Sequence, residues 1–427
     1  MIRILKGTLV HTPQKDSFSI HPQSYLVITD GLVENIYSSL PDKFDGIPID
    51  DFGDNLIIPG FCDLHTHAPQ YVNIGIGYDE ELLPWLMKYT FPLESRYADA
   101  TFAEESYKRF INALWSKGTT RASVFATIHL PATRLLFDLF RKSGLGAYIG
   151  KVNMDRNAIP ALTETTQSSL EDTLGFVESC IDPAGLVRPI LTPRFVPSTT
   201  PELMRGLGDL AAKYDLPIQS HVSENRTEIQ FVKDLHPDIA SFTEVYDTFG
   251  LLRPDKTIMA HAVHLTDAES QIMLDKRIHI AHCPQSNFNM SSGIMPLRKY
   301  LDMGITLGLG SDVAGGHILG MPQNIISACV ASNQFWIDHP DDKQVCLAEA
   351  FYLATKGSGS FFGKVGSFEQ SFEADALVVD DGASGSLIER TVEERLQKFI
   401  YEGDERCILR RFVRGIEVAC PFPETHA

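Results

Sequence analysis

Short apolar runs alternate with longer segments of helical periodicity between about residues 56 and 312. The short runs are rich in β-branched and aliphatic residues, as buried strands are, and the segments between them repeat apolar residues every three or four positions. This alternation predicts eight strands, each followed by a helix. The predicted strands are 55–67, 119–127, 146–154, 187–195, 216–222, 257–263, 278–283 and 305–312.

Two of the intervening segments carry clear signals for the start of a helix. In PELMRGLGDLAAKYD the apolar residues share one helical face, Thr200 precedes the segment as a candidate N-cap and Pro201 takes the first helical position. In a second segment Thr266 and Glu269 have the spacing of a capping box, in which each side chain bonds the other residue's backbone N–H.

The order of elements predicts an α/β fold with a (β/α)8 TIM-like barrel. Eight repeats of strand and helix favour this barrel over a doubly wound sheet, since no G-x-G-x-x-G turn follows the first strand. Both termini are instead β-rich, with short strands broken by Gly, Pro and Asp. We therefore expect residues 58–365 to form the barrel, and residues 1–57 and 366–427 together to form a small β-sandwich domain.

Composition and charge exclude several classes of partner. The chain has 427 residues and a formal charge of −18, from 37 Lys and Arg against 55 Asp and Glu, so binding to nucleic acid or to an anionic membrane surface is not expected. The N-terminal stretch lacks the features of a secretory signal, and no apolar run reaches the roughly 20 residues of a membrane span. Seven scattered cysteines without a C-x-x-C pair are typical of reduced thiols, which predicts a cytoplasmic protein.

Candidate chemistry appears at the ends of the predicted barrel strands, where barrel enzymes place their active sites. His65 and His67 end the first strand, and their spacing of two residues puts both side chains on one face. A single histidine near an apolar run is more often a core or surface residue than a ligand. Here, however, His221 ends the fifth strand and Asp312 ends the eighth. The coincidence predicts that these four residues bind one metal ion.

This donor set indicates the kind of metal and the kind of reaction. Three imidazoles and a carboxylate suit a borderline divalent ion such as Zn²⁺, with a further position open for water. Such an ion lowers the pKa of bound water toward about 7 and makes hydroxide available at neutral pH. The residues therefore predict a metal-dependent hydrolytic enzyme.

The motifs around these residues resemble a known family. The first barrel strand reads PGFCDLHTHAPQY, and it is followed by LLPWLMKYTFP, KGTTRASVFATIH, GKVNMD, TPRF, QSHVSEN, MAHAVHL, AHCPQSN and LGLGSDVAGG. These blocks, from about residue 55 to about 325, resemble the guanine deaminases of the amidohydrolase superfamily, and the tail SFEADALVVD resembles the closing β-segment of that superfamily.

The resemblance implies a mononuclear site held by the four residues chosen above. The fourth predicted strand of this chain, VRPILTPRF, lacks the lysine that becomes carbamylated in superfamily members with two metal ions. One divalent ion per subunit is implied, with Zn²⁺ preferred and Fe²⁺ also suited to the ligands. The resemblance further implies a homodimer.

The activity implied is hydrolytic deamination of guanine to xanthine and ammonia, in purine catabolism or salvage. Asp312 would take a proton from the metal-bound water, and His261 would orient the resulting hydroxide for attack on C2. Glu224 would deliver a proton to the adjacent ring nitrogen, for which its pKa must be raised toward neutrality.

The family pattern also implies the residues that bind the purine. Arg194 would donate to the carbonyl O6, Phe195 would stack on or bracket the ring, and Gln70 would pair with a ring edge through its amide. A donor aimed at O6 would be left unpaired against the amino group of adenine, which costs about 1–3 kcal/mol or more.

Other functions stay open at this level. A related amidohydrolase could act on another heterocycle, such as 8-oxoguanine or a triazine, although Gln70 and the Arg194–Phe195 pair argue against it. A metal-free barrel that serves only as a scaffold would lack some of the metal ligands or the proton-donating Glu224. In this sequence all of these positions carry the expected residue types. Deamination of a base within RNA or DNA is disfavoured by the negative charge and by the absence of an H-x-E…P-C-x-x-C signature in the sequence.

Overall fold

The computed structural model describes residues 1–180, 182, 184–382 and 386–423. The strands within these ranges, in chain order, are β1 (Ile2–Gln14), β2 (Ser17–Thr29), β3 (Leu32–Tyr37), β4 (Ile49–Pro59), β5 (Phe61–His67), β6 (Thr119–Phe125), β7 (Gly146–Gly150), β8 (Val152–Asn153), β9 (Val187–Pro189), β10 (Thr192–Pro193), β11 (Ile218–Val222), β12 (Thr257–His261), β13 (His279–His282), β14 (Leu307–Leu309), β15 (Ala376–Val379), β16 (Ile408–Val413) and β17 (Ile416–Glu417).

The helices cover most of the chain between the barrel strands. In chain order they are α1 (Leu82–Trp85), α2 (Phe91–Glu94), α3 (Ala100–Ser116), α4 (Leu130–Ser143), α5 (Thr166–Cys180), α6 (Pro201–Tyr214), α7 (Arg226–Leu235), α8 (Phe242–Thr248), α9 (Asp267–Asp275), α10 (Pro284–Asn289), α11 (Leu297–Met303), α12 (Met321–Asp338), α13 (Leu347–Tyr352) and α14 (Val392–Glu402). A π-helical segment, Leu86–Thr90, joins α1 to α2.

Strands β5 to β14 form the barrel that the alternating pattern predicts. One half pairs in the order β5-β6-β7-β9 and the other in the order β11-β12-β13-β14, with every pairing parallel. A parallel bridge between Leu191 and Ile218 joins the halves. On the opposite side the backbone N–H of Asp312 donates to the carbonyl of His65 at 2.8 Å, which brings the eighth strand end beside the first.

Both termini contribute to one sheet, as the sequence predicts. Its order in the described residues is β17-β16-β15-β4-β1-β2-β3, so strands from the C-terminal segment pair directly with β4 from the N-terminal segment. The domain limits at 57 and 366 stay a prediction, and residues 383–385 and 424–427 of the C-terminal segment lie outside the described residues.

The first predicted strand, 55–67, is in fact two elements that separate at Gly60. Residues up to Pro59 pair with β15, and the N–H of Gly60 donates to the carbonyl of Asp375 at 3.0 Å. A Cβ at Gly60 would approach Thr120 Oγ1 to 2.4 Å, so the close crossing of the two sheets requires glycine here. Because the apolar run is continuous in the sequence, the prediction treated these two strands as one.

Other predicted strand limits were too long. The runs 146–154 and 187–195 are each interrupted, giving β7 with β8 and β9 with β10, and the run 305–312 narrows to β14. The residues that were predicted as strand but lie outside the observed strands form the start of the rim loops, which carry candidate site residues.

The helix-start signals are confirmed. The Thr200 side chain accepts from the N–H of Leu203 at 3.2 Å, and Thr266 with Glu269 forms the predicted capping box. Helix α14, in the C-terminal segment described above as β-rich, was not predicted, although Thr391 and Glu394 form a capping box at its start.

The interior of the barrel is filled by side chains and is not a pore. The buried cluster there comprises Leu64, Ile190, Ile258, Ala260, Ala281, Cys283 and Phe361. A packed interior of this kind leaves the rim at the carboxyl ends of the strands as the place for chemistry. No described helix has the length and apolarity needed to cross a membrane.

Candidate active site

Strand β5 brings His65 and His67 to the barrel rim. Every residue of this strand is buried, and the two imidazoles turn toward the same carboxylate. Nε2 of His65 lies 3.1 Å from Oδ1 of Asp312, and Nε2 of His67 lies 3.3 Å from the same oxygen. The pair predicted from the H-x-H spacing therefore converges with Asp312, which lies 247 positions after His65 in the chain.

His221 joins this cluster from β11, and its orientation is fixed by the backbone. Its Nδ1 donates to the carbonyl oxygen of Arg194 at 2.6 Å. Because a carbonyl only accepts, Nδ1 carries the proton and Nε2 presents a lone pair, 3.2 Å from Nε2 of His67. Burial lowers the pKa of His67 from 6.5 to about 4 and holds the pKa of His221 well below its usual value, so both rings are neutral at pH 7.

Asp312 lies three residues beyond β14, in a left-handed conformation with φ of 46°. The preceding Ser311 is anchored to the buried carboxylate of Asp63, which accepts from the Ser311 N–H at 3.0 Å and from its hydroxyl at 2.5 Å. Burial opposes ionisation of Asp312, but the neighbouring His65 and His67 outweigh it and hold the pKa of Asp312 well below 3.8. The site thus contains an ionised carboxylate.

His261 ends β12 and faces two carboxyl groups. Its φ of 73° is a left-handed conformation that costs of order 1–3 kcal/mol for a non-glycine residue and often occurs at functional sites. Its Nδ1 lies 3.0 Å from Oδ1 of Asn287, which directs Nε2 toward Oε2 of Glu224 at 3.4 Å and Oδ2 of Asp312 at 3.6 Å. That buried Nε2 has no hydrogen-bond partner among the described residues.

Glu224 follows β11 in a buried loop and is only 2% exposed. Burial and, next, the charge of Asp312 raise the pKa of Glu224 well above 4.5. The hydroxyl of Ser292 donates to Oε1 at 3.3 Å, while Glu228 accepts from the backbone N–H of Glu224 at 3.0 Å and so fixes the loop. The raised pKa favours the protonated form of the carboxyl group, which a general acid requires.

The imidazole and carboxylate donors fit a metal ion. Tetrahedral coordination with bonds of about 2.0–2.1 Å separates two ligand atoms by roughly 3.3 Å. The distances among His65, His67, His221 and Asp312 reported above are 3.1 to 3.3 Å. One ligating atom from each of His65, His221, His261 and Asp312 also lies within 4.8 Å of the others. His261 therefore lies close enough to belong to the same centre.

Gln70 and Arg194 lie beside this centre, but neither side chain is free. Nη1 and Nη2 of Arg194 donate to the two oxygens of Glu94 at 2.5 and 3.0 Å, and Nε2 of Gln70 donates to Oε1 of Glu94 at 2.9 Å. The amide oxygen of Gln70 accepts from the N–H of Ala314 at 3.2 Å. The sequence predicted contacts of both residues with a ligand and did not anticipate that Glu94 would hold them.

A cavity opens above the donor cluster. Its lining combines eight predicted site residues with an apolar wall that the sequence did not identify. The lining residues are His67, Gln70, Leu82, Trp85, Leu86, Arg194, Phe195, His221, Glu224, His261, Ser286, Met290, Asp312 and Gly315.

The structure thus brings all the predicted site residues to one region of the rim. The residues that sequence reasoning missed are those that orient them: Glu94, Asn287, Ser292 and Asp63. The segment LLPWLMKYTFP, which contains most of the apolar wall, showed the family resemblance, and Glu94 lies two residues beyond its end. No role could be given to these residues from spacing.

Comparisons with known proteins agree with this geometry. The sequence matches the Amidohydrolase family over residues 56–418. It is 39% identical to guanine deaminase from Dictyostelium discoideum over 98% of both chains, and 41% identical to the Homo sapiens guanine deaminase over 86% of this chain and 83% of that one. A crystal structure of guanine deaminase from C. acetobutylicum with bound guanine superposes with a TM-score of 0.96 at 48% identity, covering 98% of this chain and all of the other.

These matches extend well beyond the metal-site motifs and include nearly the whole chain. The chain therefore belongs to the amidohydrolase family, and the three relatives named above, each of which it matches over most of the length of both chains, are guanine deaminases.

Proposed function

We propose that the protein hydrolyses the 2-amino group of guanine, giving xanthine and ammonia, with the help of one divalent metal ion. The observation that carries this proposal is the convergence of three imidazoles and the Asp312 carboxylate beneath a cavity that Glu224 and Arg194 also line. The guanine bound to the C. acetobutylicum relative supports the choice of substrate.

His65, His67, His221 and Asp312 would hold the metal. We assign the ligands in this way because each of these donors lies 3.1–3.3 Å from at least one other of the four, whereas Nε2 of His261 lies 3.6 Å from Asp312. A divalent ion held by these residues would lower the pKa of a nearby water toward about 7, so that a nucleophile would be available at neutral pH. Zn²⁺ suits the ligands best, and Fe²⁺ also accepts imidazole and carboxylate.

The two oxygens of Asp312 have different tasks in this scheme. Oδ1 points toward the two histidines of β5, and Oδ2 points toward His261. The second oxygen takes the proton from the attacking water, and Nε2 of His261, held by Asn287, orients that water toward C2 of the purine.

Glu224 supplies the proton that the ring needs. Attack at C2 makes this carbon tetrahedral and leaves negative charge on the adjacent ring nitrogen, which a protonated carboxyl group relieves. Glu224, now ionised, then takes the proton of the new C2 hydroxyl and passes it to the amine as the C2–N bond breaks, so that ammonia leaves as a neutral molecule. The proton that Asp312 took from the water restores the Glu224 carboxyl group. The raised pKa of Glu224, caused first by burial, favours the protonated form that this step needs.

Arg194, Gln70 and Phe195 would recognise the purine. A guanidinium has five N–H donors, of which Glu94 takes two, so others are available for the carbonyl O6. Gln70 retains one amide hydrogen and one lone pair for a ring edge, and Phe195 offers its ring to bracket the base. Adenine would leave the Arg194 donors facing an amino group.

We also propose that the enzyme acts as a cytoplasmic homodimer in purine catabolism or salvage. All seven cysteines are free, which is consistent with a reducing compartment, and the dimer rests on family resemblance. Light scattering on the purified protein tests the dimer, since a mass near 47.5 kDa would instead indicate a monomer.

A substrate panel tests the activity. The metal-loaded protein is incubated separately with guanine, adenine and 8-oxoguanine, and ammonia is measured together with the purine product. Release from guanine with formation of xanthine is expected. Release from another base alone would overturn the assignment of Arg194 and Gln70 to the edges of guanine, and no release from any base with metal bound would overturn the proposed activity.

A further inference from the structure

Glu94 is a buried carboxylate beside the cavity for which the mechanism above has no use. It ends the short helix α2 and is 2% exposed. Its two oxygens accept three hydrogen bonds, one from Gln70 and two from Arg194. Its partners in these bonds are therefore two of the residues that we assign to the purine edges.

Glu94 fixes the plane of the Arg194 guanidinium. The two donors run in parallel to the two carboxylate oxygens, a forked geometry that leaves little rotational freedom. The guanidinium carbon also lies 5.0 Å from the centre of the Phe91 ring, from the same helix. Because Arg194 is 3% exposed, removing the carboxylate would leave a buried positive charge without its counter-ion.

Glu94 also decides which way the amide of Gln70 faces. An ionised carboxylate only accepts and a backbone N–H only donates, so the amide nitrogen must face Glu94 and the amide oxygen must face Ala314. The remaining amide hydrogen then has a fixed direction. Without Glu94 the amide could turn over and exchange a donor for an acceptor.

We propose that Glu94 is a positioning residue that sets the selectivity for the 6-carbonyl purine. It holds Arg194 and Gln70 as one rigid unit, so that donors already point at the carbonyl edge before the ligand arrives. This inference rests on the proposed function, since it concerns how guanine is chosen and not how its amine is hydrolysed.

The substitution E94Q tests the proposal, with guanine and 2-aminopurine as the two ligands. Glutamine keeps the size of the side chain but removes its charge and one of its acceptor oxygens. 2-Aminopurine lacks the 6-carbonyl and is measured as a competitor of guanine, so its binding constant is obtained whether or not it is deaminated.

We expect E94Q to raise the KM for guanine about 10- to 100-fold while kcat changes much less, because an interaction with the carbonyl edge is lost. The binding constant of 2-aminopurine should change by less than about threefold, since this ligand makes no use of a donor aimed at O6. The preference for guanine over 2-aminopurine, measured as the ratio of these two constants, should therefore be largely lost.

The matched control is E349Q. Glu349 is also 2% exposed and accepts from a buried arginine, Arg298, at 2.6 Å, but neither residue lines the cavity. E349Q should lower the melting temperature and leave the preference for guanine unchanged. E94D, which keeps the charge on a shorter side chain, is the second variant and should lose less selectivity than E94Q.

Equal weakening of guanine and 2-aminopurine in E94Q or E94D would overturn the proposal, as would an unchanged preference in a folded variant. Failure of the unmodified protein to deaminate guanine would instead count against the proposed function. Guanine turnover by the unmodified protein together with unchanged selectivity in E94Q would overturn the role of Glu94 alone.

Discussion

Replacement of Glu224 by glutamine tests the proton-transfer step. The carboxyl group is 2% exposed, and burial together with the charge of Asp312 raises its pKa, which favours the protonated form. Glutamine has almost the same shape and retains an oxygen for the Ser292 hydroxyl, which donates to Glu224 at 3.3 Å. E224Q therefore removes an acidic proton with little change to the cavity.

The expected loss is in kcat. General acid catalysis contributes about 10²- to 10⁴-fold, which corresponds to about 3–5 kcal/mol of transition-state stabilisation at 1.36 kcal/mol per tenfold. The KM for guanine should change by less than about threefold, because the groups assigned to the purine edges are untouched. Steady-state ammonia release at several guanine concentrations separates these two quantities, with metal content measured on the same samples.

The control for this variant is E228Q. Glu228 is buried four residues further on, and burial followed by the charge of Glu224 raises its pKa to about 8, but it bonds backbone N–H groups and does not line the cavity. E228Q should retain far more activity than E224Q. The reasoning would be refuted if E224Q, with its metal bound, turned over guanine within about tenfold of the unmodified rate.

Three further results are expected. R194A should raise the KM for guanine about 10- to 100-fold and weaken the discrimination against adenine, both measured by ammonia release; unchanged kinetics would show that Arg194 does not contact the base. N287A should lower kcat by about tenfold or more without loss of metal, because His261 loses the group that orients it; loss of metal instead would mean that His261 is a ligand. Acidification should destabilise the protein and release its metal. The folded-state pKa of His67, about 4, lies below the ordinary 6.5, so burial of the neutral imidazole contributes its full share of folding stability above pH 6.5, and this share is lost as the pH falls toward 4. Thermal melts would record the loss of stability, and metal analysis would record the release of the ion.

The sequence was sufficient to predict the barrel and the four candidate ligands for a physical reason. Strand order in a closed barrel places every carboxyl end on one rim, so residues as distant as His65 and Asp312 must meet if each ends or closely follows a strand. The two-residue spacing of His65 and His67 likewise gives both the same face. Neither inference needs any knowledge of side-chain contacts.

The residues that orient the site could not be predicted in this way. Glu94 and Asn287 lie on the short helices α2 and α10, and a polar side chain on such a helix looks in sequence like an ordinary exposed residue. Only the path of the chain after β5 brings Glu94 against Arg194, 100 positions later. The break between β4 and β5 was missed for a similar reason, because an apolar run does not record which sheet each part of it joins.

Metal titration of the chelator-stripped protein, with guanine turnover followed at each addition, tests the central claim most directly. We predict that the stripped protein is inactive and that the rate of xanthine formation rises in proportion to added Zn²⁺ until one ion is bound per chain, then stays constant. Full turnover by the stripped protein, or no turnover with one ion bound at the cluster formed by His65, His67, His221 and Asp312, would contradict the account.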